Sequence, residues 1–148
     1  LLLVLGYAYR EEIMDTRLMA ELLPSRVRVT EEGLLTVRAQ ESGHFYMDGR
    51  VNGVPVRFMV DTGASDIVLS KRDAERAGLN PASLSYTRTY RTANGPVGGA
   101  PVRLERLSVG PVLLQDMEAS VNGGDMDTSL LGMAFLRQFS RFRVEGNT

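Results

Sequence analysis

The stretch Phe58-Met59-Val60-Asp61-Thr62-Gly63-Ala64-Ser65 holds the residues best placed to do chemistry. An apolar run carries one carboxylate into a turn of Thr, Gly, Ala and Ser, and a second apolar run, Ile67-Val68-Leu69, follows at once. Short apolar runs bounded by turn residues read as buried strands. An Asp between two such strands is held where an acidic side chain costs free energy unless it is hydrogen-bonded or shares its proton. Most surface turns that carry Asp and Gly do nothing chemical, and the apolar flanks set this one apart.

Other chemistries lack their residues. The chain has no Cys, which removes cysteine nucleophiles, disulfides and thiolate metal sites. Its one histidine, His44, would have to serve any Ser-His-Asp triad, and no Gly-x-Ser-x-Gly elbow accompanies it. A zinc site normally wants several His or Cys ligands, and no Gly-x-x-x-x-Gly-Lys loop is present to hold phosphates. No metal or cofactor is expected, and carboxylates are the tools that remain.

The 148 residues suit one domain, able to bury roughly 68–70% of the surface its unfolded chain exposes. Hydrophobic residues at 43% and charged residues at 24% are ordinary for a soluble globular protein. Seventeen basic residues against eighteen acidic ones leave a net charge of −1, with the arginines scattered among acids, so no nucleic-acid surface is expected.

The elements that must position Asp61 can be read in chain order. Residues 1–9 are uniformly apolar, too short for the roughly 20 residues that span a bilayer, and are expected to be the tail of a membrane-spanning helix with Tyr7 and Tyr9 at the interface. The end of a signal peptide or the start of a buried helix are the alternatives. In residues 11–23, Met14, Leu18 and Leu22 give one apolar helical face, which Pro24 ends. Segment 1–24 is therefore expected to be anchor and stalk, and 25–148 the domain. Val27, Val29, Leu35 and Val37 alternate with polar neighbours as half-buried strands do.

Residues 43–60 read as a hairpin turning at Asn52-Gly53, with His44 on the face opposite Phe45 and given no catalytic role. Residues 70–79 are a short helix between Ser70 as N-cap and Gly78 as C-cap. Tyr86 to Leu107 are two strand-like runs about Ala93-Asn94-Gly95-Pro96, with Gly98-Gly99 expected to add flexibility. Such a hairpin is decoration or a lid over a ligand. Val109 to Val121 read as two more strands with Gly110-Pro111 as a turn, and Ser129-Leu130-Leu131-Gly132 is a short apolar run. A short helix, Met133 to Phe139, and a last strand begun by Phe142 and Val144 complete the chain.

Four blocks in this order resemble the retropepsin-like aspartic proteases, and most closely the single-domain proteobacterial family found behind one N-terminal membrane helix. They are Val60-Asp61-Thr62-Gly63-Ala64-Ser65, Ala74-Glu75-Arg76-Ala77-Gly78-Leu79, Thr92-Ala93-Asn94-Gly95 and Ser129-Leu130-Leu131-Gly132-Met133-Ala134-Phe135-Leu136. The resemblance runs from about Gly43 to Val144. Asp-Thr-Gly alone would carry little; the order and spacing of all four blocks carry the likeness. It implies an all-β (mainly β) fold, a closed barrel with a flap hairpin and one or two short helices, here preceded by an N-terminal helix.

The resemblance also implies an aspartic endopeptidase, in which two carboxylates share one proton and activate a water. Only one Asp-Thr-Gly is present, so the second carboxylate must come from Asp61 of a second copy, in a homodimer of isologous symmetry. Thr62 is expected to lock the two turns together across the dimer, and Gly63 to let substrate backbone approach. Leu131 and Gly132 would support the turn from below. Ala64, Ser65 and Asp66 would line the groove, with Thr92, Ala93, Asn94 and Gly95 as the flap tip over an extended peptide. Ser65 alternatively only satisfies the turn. The resemblance places the domain in the bacterial periplasm, tethered to the inner membrane. The competing reading is a non-catalytic peptide-binding or dimerisation module on the same fold.

Overall fold

Alternating burial and local turn chemistry organise most of the strands. The computed structural model describes residues 2–6, 27–29, 34–110, 112–139 and 141–145. Its first three strands are β1 (Leu2–Gly6), β2 (Val27–Val29) and β3 (Leu34–Arg38). The hairpin of β4 (Phe45–Val51) and β5 (Val54–Val60) follows, joined at Asn52 and Gly53. Both turn residues have positive φ, 50° and 85°, as the two-residue turn that matches strand twist requires. Phe45, Met47 and Val51 of β4 and Val56, Phe58 and Val60 of β5 point into the core, and His44 is exposed.

Next come β6 (Ile67–Leu69), helix α1 (Lys71–Arg76), a 3-10 turn at Pro81–Ser83, and the strands β7 (Arg88–Thr92) and β8 (Gly95–Val109). Ser70 caps α1, its hydroxyl accepting from the Asp73 amide at 3.1 Å. The chain ends through β9 (Val112–Asn122), β10 (Ser129–Leu131), helix α2 (Met133–Leu136) and β11 (Arg141–Glu145).

The strands run in the order β4-β5-β10-β6-β9-β8, and β8 pairs back onto β4 through Leu107–Val109 against Gly49–Val51. This closes a six-stranded barrel and leaves it no free edge. Only the second half of β8 is needed for closure. Its first residues, Gly95 to Gly99, pair with β7 as the expected flap hairpin. The core inside is apolar, with Phe58, Phe135, Met47 and Ile67 among its fully buried side chains.

The structure corrects two expectations here. Residues 109–121 do not form two strands after the turn: β9 is one strand of 11 residues, its register with β8 continuous across Asp116, which takes a positive φ of 52°. Leu2–Gly6 is strand and not helix, paired on one edge with β11 and on the other with β3 in a separate four-stranded sheet, order β11-β1-β3-β2. An apolar run this short does not distinguish helix from strand, and pairing along both edges decides it. The expected stalk helix over 11–23 lies outside the described residues. Among the described residues no helix is long and apolar enough to cross a membrane.

Candidate active site

Asp61 leaves β5 at the rim of the barrel, where the next five residues must turn the chain back into β6. The turn is built from main chain. The Asp61 amide donates to the Leu131 carbonyl at 3.0 Å, and the Ala64 amide closes back on the Asp61 carbonyl at 3.2 Å. On its far side Gly132 donates to Asp66 O at 3.1 Å, Met133 to Ala64 O at 2.8 Å and Ala134 to Ser65 O at 2.8 Å. The amides at the start of α2 are the unsatisfied donors of any helix N-terminus, and here the catalytic-type turn uses them. Leu131 is fully buried beneath.

Gly132 makes this contact possible. A Cβ there would stand 2.4 Å from Asp66 O and 2.6 Å from Ala64 O, so any side chain would force the turn off its support. Val60 and Ile67 point inward on either side while Asp61 itself is half-buried. The burial expected from its apolar flanks is thus not reached in the single chain, because those flanks fill the barrel and leave the carboxylate on the rim. One carboxylate oxygen, Oδ1, accepts from the Gly63 amide at 2.9 Å.

The remaining site residues predicted from sequence fall around this point. Thr62, Gly63 and Ser65 are exposed and Ala64 is half-buried. Among the described residues the Thr62 hydroxyl has no hydrogen-bond partner. Thr92, Ala93 and Asn94 are exposed at the flap tip, which ends at Gly95. The Thr92 hydroxyl donates to Gly95 O at 2.7 Å and accepts from the Asn94 amide at 3.2 Å, so it is spent on the tip's own turn.

Asp66 does more than line the groove: its Oδ2 accepts from the Tyr90 hydroxyl and from Arg88 Nη1 at 3.2 Å. Arg88 also pairs through Nη2 with Glu118 of β9. Arg88, Tyr90 and Glu118 were not foreseen. Arg88 and Tyr90 sit two residues apart on β7 and so share a face, which is the one signal the sequence offered. Burial, and next the hydrogen bond to the Asp66 carboxylate, push the Tyr90 phenol above its ordinary pKa, so it remains a donor. The Glu118 carboxylate, followed by Tyr90, raises the Arg88 guanidinium as well.

Gly98 and Gly99 also read differently in three dimensions. Neither has a positive φ, and both lie inside β8. A Cβ on Gly99 would fall 2.2 Å from Tyr90 Cε2, and one on Gly98 would touch Tyr86 at 3.4 Å. Gly99 makes room for the Tyr90 ring, and both glycines sit within the regular strand.

Two cavities, of about 610 Å³ and 400 Å³, lie away from the turn. The first is lined by Lys71, Glu75, Leu84 and Tyr86, the second by Tyr46, Arg57, Arg72 and Arg76. Neither includes Asp61. Among the described residues no three acidic or histidine side chains are grouped to hold a metal ion.

Comparison with known proteins gives the following. Residues 47–138 match the family model described as gag-polyprotein putative aspartyl protease. An uncharacterized protein of Rickettsia prowazekii (strain Madrid E) is 42% identical over 147 residues, covering 98% of this chain and 63% of that protein. An uncharacterized protein from the cobV 5′ region of Sinorhizobium sp. is 43% identical over 143 residues, covering 92% of this chain and 61% of that one. The chain thus spans less than two thirds of the length of either relative. The crystal structure of a retropepsin-like aspartic protease from Rickettsia conorii superposes with a TM-score of 0.67 at 46% identity, over 72% of this chain and 88% of that one.

Proposed function

We propose that this chain, which belongs to the gag-polyprotein putative aspartyl protease family and has the retropepsin-like fold, is an aspartic endopeptidase that works as a homodimer. The observation that carries this reading is the rim position of Asp61, with Gly63 holding one oxygen and a single Asp-Thr-Gly in the sequence. Two copies that bring their rims together would place two Asp61 carboxylates side by side. Like charges so close do not both ionise, so the pair holds one proton.

In that arrangement the ionised carboxylate takes a proton from water, whose oxygen attacks the scissile carbonyl carbon. The protonated carboxyl gives its proton to the carbonyl oxygen, forming a neutral gem-diol. Breaking the C–N bond then moves a proton from the diol through the pair to the departing nitrogen, which returns the two carboxyl groups to a single shared proton. The main-chain support beneath the turn fixes each Asp61 without side-chain freedom, which is the preorganisation such a pair needs. The exposed Thr62 hydroxyl, without a hydrogen-bond partner among the described residues, would bond the other copy. That neither cavity contains Asp61 fits a groove completed only between two copies.

The experiment is cleavage of a mixed peptide library from pH 4 to 7 by the full-length protein, wild type beside Asp61→Asn, with mass in solution measured alongside. Cleavage should fall by at least about a hundredfold in the variant, the range of a lost general acid–base group, and specific activity should fall on dilution. Activity in a strict monomer would overturn the homodimer. Peptide that binds a confirmed dimer and stays intact would leave a binding module instead.

We propose attachment to the bacterial inner membrane, with the barrel in the periplasm, from the resemblance to single-domain proteases that stand behind one N-terminal membrane helix. Residues 2–6, paired as a strand, do not supply that helix. Fractionation of cells producing the full-length protein tests this: recovery from the soluble fraction would end it.

A further inference from the structure

Resting on the protease reading, we infer that Asp66 is a positioning residue that latches the flap to the turn carrying Asp61, through Tyr90 and Arg88. The geometry has three parts. First, Asp66 belongs to the turn itself: its carbonyl accepts from Gly132 and it lies five residues after Asp61. Second, its carboxylate receives both the Tyr90 hydroxyl and Arg88 Nη1, two side chains from the same face of β7. Third, Arg88 continues to Glu118 on β9, so the flap strand is tied at once to the turn and to the barrel wall.

The seat for Tyr90 is cut to its ring. Gly99 leaves space that no side chain would, since even a Cβ would overlap the ring at 2.2 Å. Ser120 forms the base of the seat: the same Cβ would lie 2.9 Å from its Oγ. Ser120 is fully buried, and its Oγ has no hydrogen-bond partner of good geometry among the described residues. Beyond Tyr90 the flap's polar contacts among the described residues are within the hairpin, in its β7–β8 pairing and the Thr92 turn. The latch therefore divides the hairpin into a fixed root at residues 88–90 and a tip at residues 92–95 that is free to move.

A root held at fixed height above Asp61 keeps the groove ready for an extended peptide. Without the latch, the flap must be ordered by the substrate, and that ordering weakens binding. The latch thus acts on substrate capture and leaves the proton transfers at Asp61 alone.

The test is backbone amide hydrogen exchange of the full-length protein, read segment by segment, in wild type, Asp66→Asn and Tyr90→Phe, with steady-state cleavage measured on the same samples. Exchange across residues 88–99 is expected to rise about tenfold in both variants, the effect of losing one hydrogen bond to a charged group, while β4, β5 and β9 stay unchanged. KM should rise about tenfold with kcat within about twofold, as when ordering is paid on binding. Gly99→Ala, which displaces the ring and leaves the Asp66, Arg88 and Glu118 side chains unaltered, should move flap exchange in the same direction.

Unchanged flap exchange in Asp66→Asn and Tyr90→Phe would overturn the latch whether or not the protein cleaves peptide. Exchange that rises equally over the whole barrel would assign Asp66 to general stability and overturn it too. Faster flap exchange with KM unmoved would refute the role in substrate capture. If the wild type cleaves nothing, the failure belongs to the protease reading, and the exchange data still decide the latch.

Discussion

The floor of the site and the β7 strand of its flap are held in place by different parts of the residues. Under Asp61 the contacts are peptide to peptide: Leu131, Gly132, Met133 and Ala134 each exchange a main-chain hydrogen bond with residues 61–66. In the flap, β8 takes a main-chain bond at Gly98 from Gly123 at 2.7 Å, whereas β7 is tied by side chains: Asp66 with Tyr90 and Arg88, and Arg88 with Glu118. Main-chain bonds do not depend on which side chains are present, and they bring no rotamer freedom. Side-chain bonds can be made and broken while the backbone stays in place. A site that must hold its carboxylate still and yet admit a polypeptide needs one of each.

If that contrast is right, the floor should fail through sterics, not through lost polar atoms, and fail completely. Gly132→Ala drives a Cβ against Asp66 O and Ala64 O, and should cost about 3 kcal/mol as an overpacked site does. Thermal unfolding should show this, with cleavage abolished in whatever remains folded. A variant as stable and active as wild type would show that the floor is not held as described.

A smaller effect should come from the polar support beside the floor. Ser129 Oγ donates to Asp73 Oδ2 at 2.7 Å and accepts from the Ser70 amide at 3.0 Å, all of it buried. Asp73→Ala should lower stability by about 2 kcal/mol, because the Ser129 hydroxyl loses its acceptor in the core. Denaturant titration measures this. Turnover per folded molecule should hold, since neither side chain touches the turn; a loss of turnover without a loss of stability would make this pair part of the site and blur the contrast.

The flap variants described above come next, with binding changed and the fold intact. The smallest effect belongs to Arg103 and Asp116, a bidentate pair on the exposed face of β8 and β9. The Arg103 guanidinium holds the Asp116 carboxyl below its ordinary value, by hydrogen bond first and charge second. A lowered folded pKa contributes stability above the unfolded value of about 3.9 that is lost as pH falls through the folded one. Asp116→Asn should therefore unfold slightly earlier than wild type at pH 6, and the difference should shrink as pH falls below the unfolded value. Flap exchange and cleavage should be unaffected at pH 6. An exposed pair that altered either would show that side-chain ties outside the flap also govern it.

How much of this was legible follows from distance along the chain. Period-two alternation placed β4, β5 and their turn, because neighbouring side chains take opposite faces and Asn-Gly accepts the left-handed backbone that such a turn needs. The Asp61 turn, the cap at Ser70 and the Leu131-Gly132 run were legible for the same reason: each is a short-range preference of the chain. Tertiary structure alone decided that Gly99 is a seat for Tyr90, that Leu2–Gly6 pairs as a strand, and that Asp61 stops at the rim half-buried. It also decided that Asp66 is committed to residues 22 and 24 positions away, and Arg88 to one 30 away. Those contacts depend on the register with which β8 closes onto β4 and β9, a property of pairs of strands that no single stretch of residues carries.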